Sequence, residues 1–207
     1  MATEIELKAH IEHAESLRQL LSGKAEYLCT FKKEDTYYYH AEAQGFLPSG
    51  IRLRTERRAF PDGSEKSTTL LTYKRKKVKD GVEVNDEREF EIRSSVGEMM
   101  FGEPSSSHPA AELGDLLKGI GFEQGIFKRK HGWAFCRDDI IAELLEVESL
   151  GWFLELEIVV TDNREERFAE ERNRLLDFYD SLELAREAIE SRFYSEMLKE
   201  LEGNNVK

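Results

Sequence analysis

The chain has 207 residues, 40% of them apolar and 35% charged, which favours one compact domain with a real core and excludes disordered or low-complexity proteins. The 30 Lys and Arg against 42 Asp and Glu give a net charge of -12, which disfavours a general nucleic-acid binder. Two cysteines are too few for a disulfide framework, and no segment is long and apolar enough to span a bilayer. We therefore expect a cytoplasmic protein that binds neither nucleic acid nor membrane.

Alternating residues predict that the first part of the chain is rich in strands. Residues 3–9 alternate strictly between polar and apolar, which is the period of a strand with two different faces. A short helix is predicted at 13–21, where leucines recur at helical spacing before a glycine. Five more strands follow, predicted at 27–30, 36–40, 51–58, 68–78 and 82–92. The last two are joined by a predicted hairpin turn at Asp80 and Gly81.

The second part of the chain ends in a helical pattern. A short helix is predicted at 110–118, and strands at 126–135, 140–148 and 152–160. From 164 to about 202 the apolar residues fall three, four or seven apart, which indicates one long or twice-broken amphipathic helix. We expect a single domain over 1–207, with strands and short helices in 1–163 and helices in 164–202.

Charged residues of one sign recur on one face of the predicted strands. A solvated face explains any one such group, but six strands carry them, and the opposite faces are often apolar. If the strands close into a barrel with these faces inward, they line a water-filled tunnel with cations and carboxylates, which suits a polyanion with a divalent metal. The groups are Glu4 and Glu6, with Lys8 on the same face; Arg52 and Arg54; Lys74 and Lys76; Glu87, Glu89 and Glu91; Lys128 and Lys130; and Glu155 and Glu157.

The order of these motifs resembles that of a known family. Residues 4–8, EIELK, match the pattern E-x-E-x-K, and the later motifs follow in order over almost the whole chain. They are DTYY at 35–38, RLR at 52–54, TYK at 72–74, REFE at 88–91, FKRKHGW at 127–133, VESLGWFLELE at 147–157 and SRFYSEML at 191–198. On these residues the chain resembles the CYTH family, the triphosphate tunnel metalloenzymes.

The resemblance implies an α+β fold: a closed antiparallel eight-stranded β-barrel, flanked by helices, that binds a triphosphate with Mg²⁺ or Mn²⁺. The residues that match metal-holding carboxylates are Glu4, Glu6, Glu155 and Glu157. Those that match triphosphate-binding cations are Lys8, Arg52, Arg54, Lys74, Lys128 and Lys130. The implied catalytic set is Glu4, Glu6 and Lys8 together with Glu89 and Glu91, a second acidic pair for a second metal site or water activation.

Two positions depart from the family pattern. Lys130 stands where the family usually has Arg, which keeps the charge but loses the bidentate fork. Leu145 stands where a common family Asp is expected, and Glu143 and Glu146 lie nearby as possible substitutes.

Three functions remain open from the sequence. The leading hypothesis is a metal-dependent hydrolase of an inorganic or organic triphosphate. The alternatives are a class IV adenylyl cyclase, which makes cyclic AMP and pyrophosphate from ATP, and a non-catalytic polyphosphate- or nucleotide-binding module. In each case the partner is a small-molecule phosphate compound, and the chain is a monomer or a homodimer.

Overall fold

The computed structural model describes residues 3–40, 49–79, 81–92, 109–160 and 165–204. Within these ranges, the side chains of residues 49, 74–77, 79, 85–87, 165 and 202–204 are not described. The strands are Thr3–Ile11 (β1), Glu26–His40 (β2), Ser49–Ala59 (β3), Glu65–Lys79 (β4), Val82–Ile92 (β5), Phe122–Arg137 (β6), Ile140–Val147 (β7) and Gly151–Val160 (β8). The helices are Ala14–Ser22 (α1), Pro109–Gly119 (α2), Glu165–Ser181 (α3) and Tyr194–Asn204 (α4), with a 3₁₀ turn at Arg186–Ala188.

The strands form one curled antiparallel sheet in the order β1-β5-β4-β3-β2-β6-β7-β8. β1 pairs with β5 on one side and with β8 on the other, so the strand order returns to its start. In this order β2 lies four places from β1, across the interior of the sheet. The predicted antiparallel, barrel-like sheet with helices around it is confirmed.

The region predicted as two short strands at 27–30 and 36–40 is one continuous strand, so that prediction was wrong. β2 runs for 15 residues and pairs with β3 and β6 through the intervening segment. Phe31, Lys33 and Asp35 in this segment are buried, whereas Lys32 and Glu34 are exposed. The charged run has the composition of a loop, but its inward charges have ion-pair partners and are compatible with a strand.

Helices α1 and α3 cover the outer face of the sheet over β1, β7 and β8, and α2 packs against β3 and β6. Leu17 and Leu21 of α1 and Leu175 and Phe178 of α3 are buried against apolar residues of β1, β7 and β8. Each such side chain contributes roughly 1.5–3 kcal/mol relative to its exposed state. The C-terminal helical pattern is divided into α3, a 3₁₀ turn and α4, which confirms the twice-broken alternative. None of the helices in the described ranges is long and apolar enough to cross a membrane.

The last helix, α4, packs against the inner face of the sheet. Tyr194 and Met197 of α4 share an apolar cluster with Phe31, Leu145 and Phe153. Leu145 and Phe153 lie two residues from Glu143 and Glu155, which face the interior, so strand alternation places all four on the inner face. Leu145, at the position of the family Asp, is fully buried in this apolar cluster.

Candidate active site

The sheet encloses a central cavity of about 240 Å³. Its described lining contains eight carboxylates, six cations and five uncharged residues. On this described lining the carboxylates exceed the cations by two. The lining residues are Glu4, Glu6, Leu28, Lys33, Tyr37, Arg52, Arg54, Glu56, Arg58, Leu70, Glu83, Glu89, Lys128, Lys130, Ile141, Glu143, Glu155, Glu157 and Tyr194.

Most of the predicted site residues meet in this cavity. Lys8 is buried just behind the lining, where its ammonium contacts the lining residue Glu83. Glu91 is exposed and does not line the cavity, although Glu89 of the same predicted pair does. Lys74 lies in β4, but its side chain falls outside the described residues. The predicted residues on the lining are Glu4, Glu6, Arg52, Arg54, Glu89, Lys128, Lys130, Glu155 and Glu157.

Carboxylates form a row across three neighbouring strands of one cavity wall. Glu6 on β1 lies directly opposite Glu157 on β8 and Glu83 on β5. Like charges directly opposite each other destabilise a sheet unless a cation balances them. Lys8 balances Glu83 through a contact of 2.5 Å, and Glu4 adds a further carboxylate to the same wall.

This donor set fits a hard divalent cation. Carboxylate oxygens are the ligands that Mg²⁺ prefers, and Mg²⁺ is usually held by one or two of them together with substrate phosphates and waters. Across the described ranges, no three His, Cys, Asp or Glu side chains are grouped closely enough to hold a metal ion on their own. The wall offers carboxylates of the kind that such an ion shares with phosphate oxygens and water.

The opposite wall of the cavity is formed by β2, β3 and β6, and Asp35 of β2 anchors two of its cations. Its fully buried carboxylate accepts hydrogen bonds of 2.6 and 2.9 Å from Nε and Nη2 of Arg54, and Nζ of Lys128 lies 3.4 Å away. Burial alone would raise the pKa of Asp35, but the charges of Arg54 and Lys128 hold it well below its ordinary value. Asp35 therefore stays ionised and fixes both cations at the cavity.

Lys130 joins the two walls through an ion pair. Its ammonium lies 2.6 Å from Glu155, and both side chains are almost fully buried. Burial would raise the pKa of Glu155, but the Lys130 charge lowers it below its ordinary value. Lys130, at the position where the family usually has Arg, therefore still places a cation in the cavity.

Arg52 is held at the cavity by hydrogen bonds. Its Nη2 lies 3.1 Å from the Thr72 hydroxyl and 3.3 Å from Glu89, and the hydroxyl donates to Glu89 at 3.0 Å. The Glu89 side chain is 41% exposed, so this end of the network is accessible to water.

Sequence reasoning missed a second buried ion cluster. Nζ of Lys33 lies 2.6 Å from both carboxylate oxygens of Glu143 and 3.8 Å from Glu56, which also accepts a 2.7 Å bond from Arg58. Period-2 alternation from Asp35 would have found Lys33, the partner of Glu143, which the sequence had already indicated as a substitute for the family Asp. Of the two substitutes considered for the family Asp, Glu143 faces the cavity, whereas Glu146 does not line it and lies 3.3 Å from His131.

Comparison with known proteins identifies the family and the fold. The CYTH domain family model matches residues 2–194. The PH1819 protein from Pyrococcus horikoshii OT3 is 24% identical, with a TM-score of 0.76 over 95% of this chain and 98% of that one. HpAC1 from Hippeastrum, a candidate adenylyl cyclase with a dominant triphosphatase activity, is 22% identical, with a TM-score of 0.60 over 98% of this chain and 96% of that one. No curated protein matches the sequence significantly.

Proposed function

Because the chain belongs to the CYTH domain family, we propose that it is a divalent-metal-dependent triphosphatase whose substrate binds in the central cavity. The observation that carries this proposal is the separation of charge between the two walls. β3 and β6 flank β2 and bring Arg52, Arg54 and Lys128 to one wall, while β1 and β8 bring Glu6 and Glu157 to the opposite wall. A triphosphate between the walls meets cations on one side and a metal-holding surface on the other.

The chain's cations bind and orient the triphosphate in this proposal. Asp35 holds Arg54 and Glu155 holds Lys130, so both cations are already paired with oxygen anions and would bind phosphate oxygens through their other N–H donors. The cations are already desolvated and held in place, and such preorganised charge stabilises a transferring phosphoryl group.

Glu4, Glu6, Glu155 and Glu157 would hold Mg²⁺ or Mn²⁺ at the opposite wall. When bound, such an ion polarises the phosphate oxygens and neutralises the charge that develops as a phosphoryl group leaves. A water oxygen then bonds to the terminal phosphorus, and the bond from that phosphorus to the bridging oxygen breaks. The products are orthophosphate and the shortened phosphate chain.

Hydrolysis has more support here than cyclisation or binding alone. The dominant triphosphatase activity of HpAC1 supports the same reaction in this chain. Both aromatic residues on the described lining, Tyr37 and Tyr194, contact lysines, and this part of the lining has no further aromatic ring on which a purine could stack. A pure anion-binding module has no need of eight carboxylates on its lining.

The experiment is incubation of the purified protein with inorganic triphosphate, thiamine triphosphate and ATP in turn, with Mg²⁺ or Mn²⁺, and measurement of the products. Orthophosphate that forms only with the metal supports the proposal and ranks the three substrates. Pyrophosphate and cyclic AMP from ATP would identify a cyclase instead, and tight triphosphate binding without products would identify a binding module.

A further inference from the structure

The ring of Tyr194 lies among three ammonium groups of the proposed site. Nζ of Lys8, Lys128 and Lys130 lies 4.6, 5.1 and 4.5 Å from the ring centroid. An ammonium within about 6 Å of an aromatic centroid is attracted to the ring face, and the attraction is stronger away from water. Tyr194 is only 5% exposed. These three lysines are named the lysine cluster below.

The lysine cluster gathers three charges of the same sign in the interior. The ammonium groups of Lys8, Lys128 and Lys130 lie close to the carboxylates of Glu83, Asp35 and Glu155, in that order. All three ammonium groups lie within 5.1 Å of one point, the ring centroid, so they repel one another in a poorly hydrated interior. The negative face of the ring is a neutral group that attracts them without adding a charge.

The surroundings of Tyr194 fix the ring in place. Phe153 packs edge-on against it, with centroids 4.9 Å apart at 89°, and Met197 belongs to the same apolar cluster. The first turn of α4 is held by a 2.8 Å hydrogen bond from the backbone N–H of Phe193 to Glu196.

We propose that Tyr194 is a positioning residue that holds the lysine cluster together before the substrate binds. The identity of the bound anion as a triphosphate rests on the proposed function, whereas the geometry of the cluster does not. With the three ammonium groups already gathered, a triphosphate can contact them together without first ordering three long side chains. The contribution of Tyr194 therefore falls on substrate binding more than on the chemical step.

The test compares Tyr194→Leu with Tyr194→Phe. Leu keeps an apolar side chain in the α4 cluster but removes the ring face, whereas Phe keeps the ring and removes only the hydroxyl. KM and kcat are measured with inorganic triphosphate and Mg²⁺, and Kd for inorganic triphosphate is measured by calorimetry without metal. We expect Tyr194→Leu to raise KM and Kd about tenfold with a smaller change in kcat, and Tyr194→Phe to stay within about twofold of the wild type.

Met197→Ala is the matched control because Met197 is buried in the same helix and the same apolar cluster. It should lower thermal stability and leave KM unchanged, which separates packing of α4 from positioning of the lysines. If Tyr194→Leu does not fold, Tyr194→Met repeats the comparison with a more flexible side chain.

Unchanged KM and Kd in a folded variant without the ring would overturn the proposal. A lower Kd would also overturn it, because the ring would then obstruct the anion. Wild-type protein that binds triphosphate without hydrolysing it would refute the proposed function, while the comparison of Kd values would still decide the role of Tyr194.

Discussion

Asp35→Asn should destabilise the fold strongly because Asp35 is the shared anion of two buried cations. The carboxylate is fully buried and accepts two hydrogen bonds from Arg54, with Lys128 3.4 Å away. An Asn side chain could accept one of the Arg54 bonds, but its amide group would face the second donor. Removing one partner of a buried ion pair costs roughly 3–5 kcal/mol, so we expect the free energy of unfolding to fall by about that amount.

The effect should depend on pH in a defined direction. The pKa of Asp35 is held well below its ordinary value by Arg54 and Lys128, so its carboxylate stabilises the folded state above the unfolded pKa of about 3.9. This stabilisation is lost progressively as the pH falls from about 4 towards the lower folded pKa. The wild type should therefore exceed Asp35→Asn in free energy of unfolding by the full amount at pH 7, and by a smaller amount below pH 4.

Urea denaturation at pH 7 and below pH 4 measures the free energy of unfolding of the wild type and Asp35→Asn. Asp62→Asn is the control. Asp62 is an exposed turn residue that accepts a 2.9 Å bond from the backbone N–H of Ser64, so its replacement should cost less than about 1 kcal/mol. A loss at Asp35 no larger than the loss at Asp62 would refute the role of Asp35 as the shared anion.

Four further predictions concern activity and packing. Glu157→Gln should abolish turnover without unfolding the protein, whereas Glu146→Gln, which does not line the cavity, should retain turnover. Full activity in Glu157→Gln would remove Glu157 from the site. Arg52→Lys keeps the charge but loses the fork, so KM should rise about tenfold, and an unchanged KM would contradict a phosphate contact. Gly132→Ala should lower the free energy of unfolding by about 3 kcal/mol, because the new Cβ would lie 2.1 Å from a backbone oxygen of β7. The new Cβ of Gly119→Ala meets nothing within 4 Å, so this control should be near neutral; urea denaturation measures both. Treatment with EDTA should stop turnover and added Mg²⁺ or Mn²⁺ should restore it; turnover that survives chelation would count against the metal.

Local sequence pattern was sufficient for most of the site because strand alternation is a local property. Once a segment is known to be a strand, Arg52 and Arg54 must share a face, and so must Lys128 and Lys130. The same rule places Glu91 beside Glu89, but alternation cannot show where along a strand the cavity ends.

The missed residues depend on contacts between distant parts of the chain. Lys33 lies in a charged run that resembles a loop, and its place in a strand is explained by Glu143, which is 110 residues away. Tyr194 reaches the cavity from a helix whose apolar pattern indicates only that one face is buried. Which surface a helix covers is decided by tertiary packing, so its approach to Lys8 could not be predicted from periodicity.

The proposed function requires that water attack the terminal phosphorus of a triphosphate in this cavity. Phosphorus NMR of inorganic triphosphate, hydrolysed by the protein with Mg²⁺ in ¹⁸O-labelled water, reveals which phosphorus atom the water attacks. We predict that the label appears in orthophosphate and that Glu157→Gln forms no orthophosphate. Label found in pyrophosphate, or no hydrolysis of any triphosphate by the wild type with either metal, would refute the proposed function.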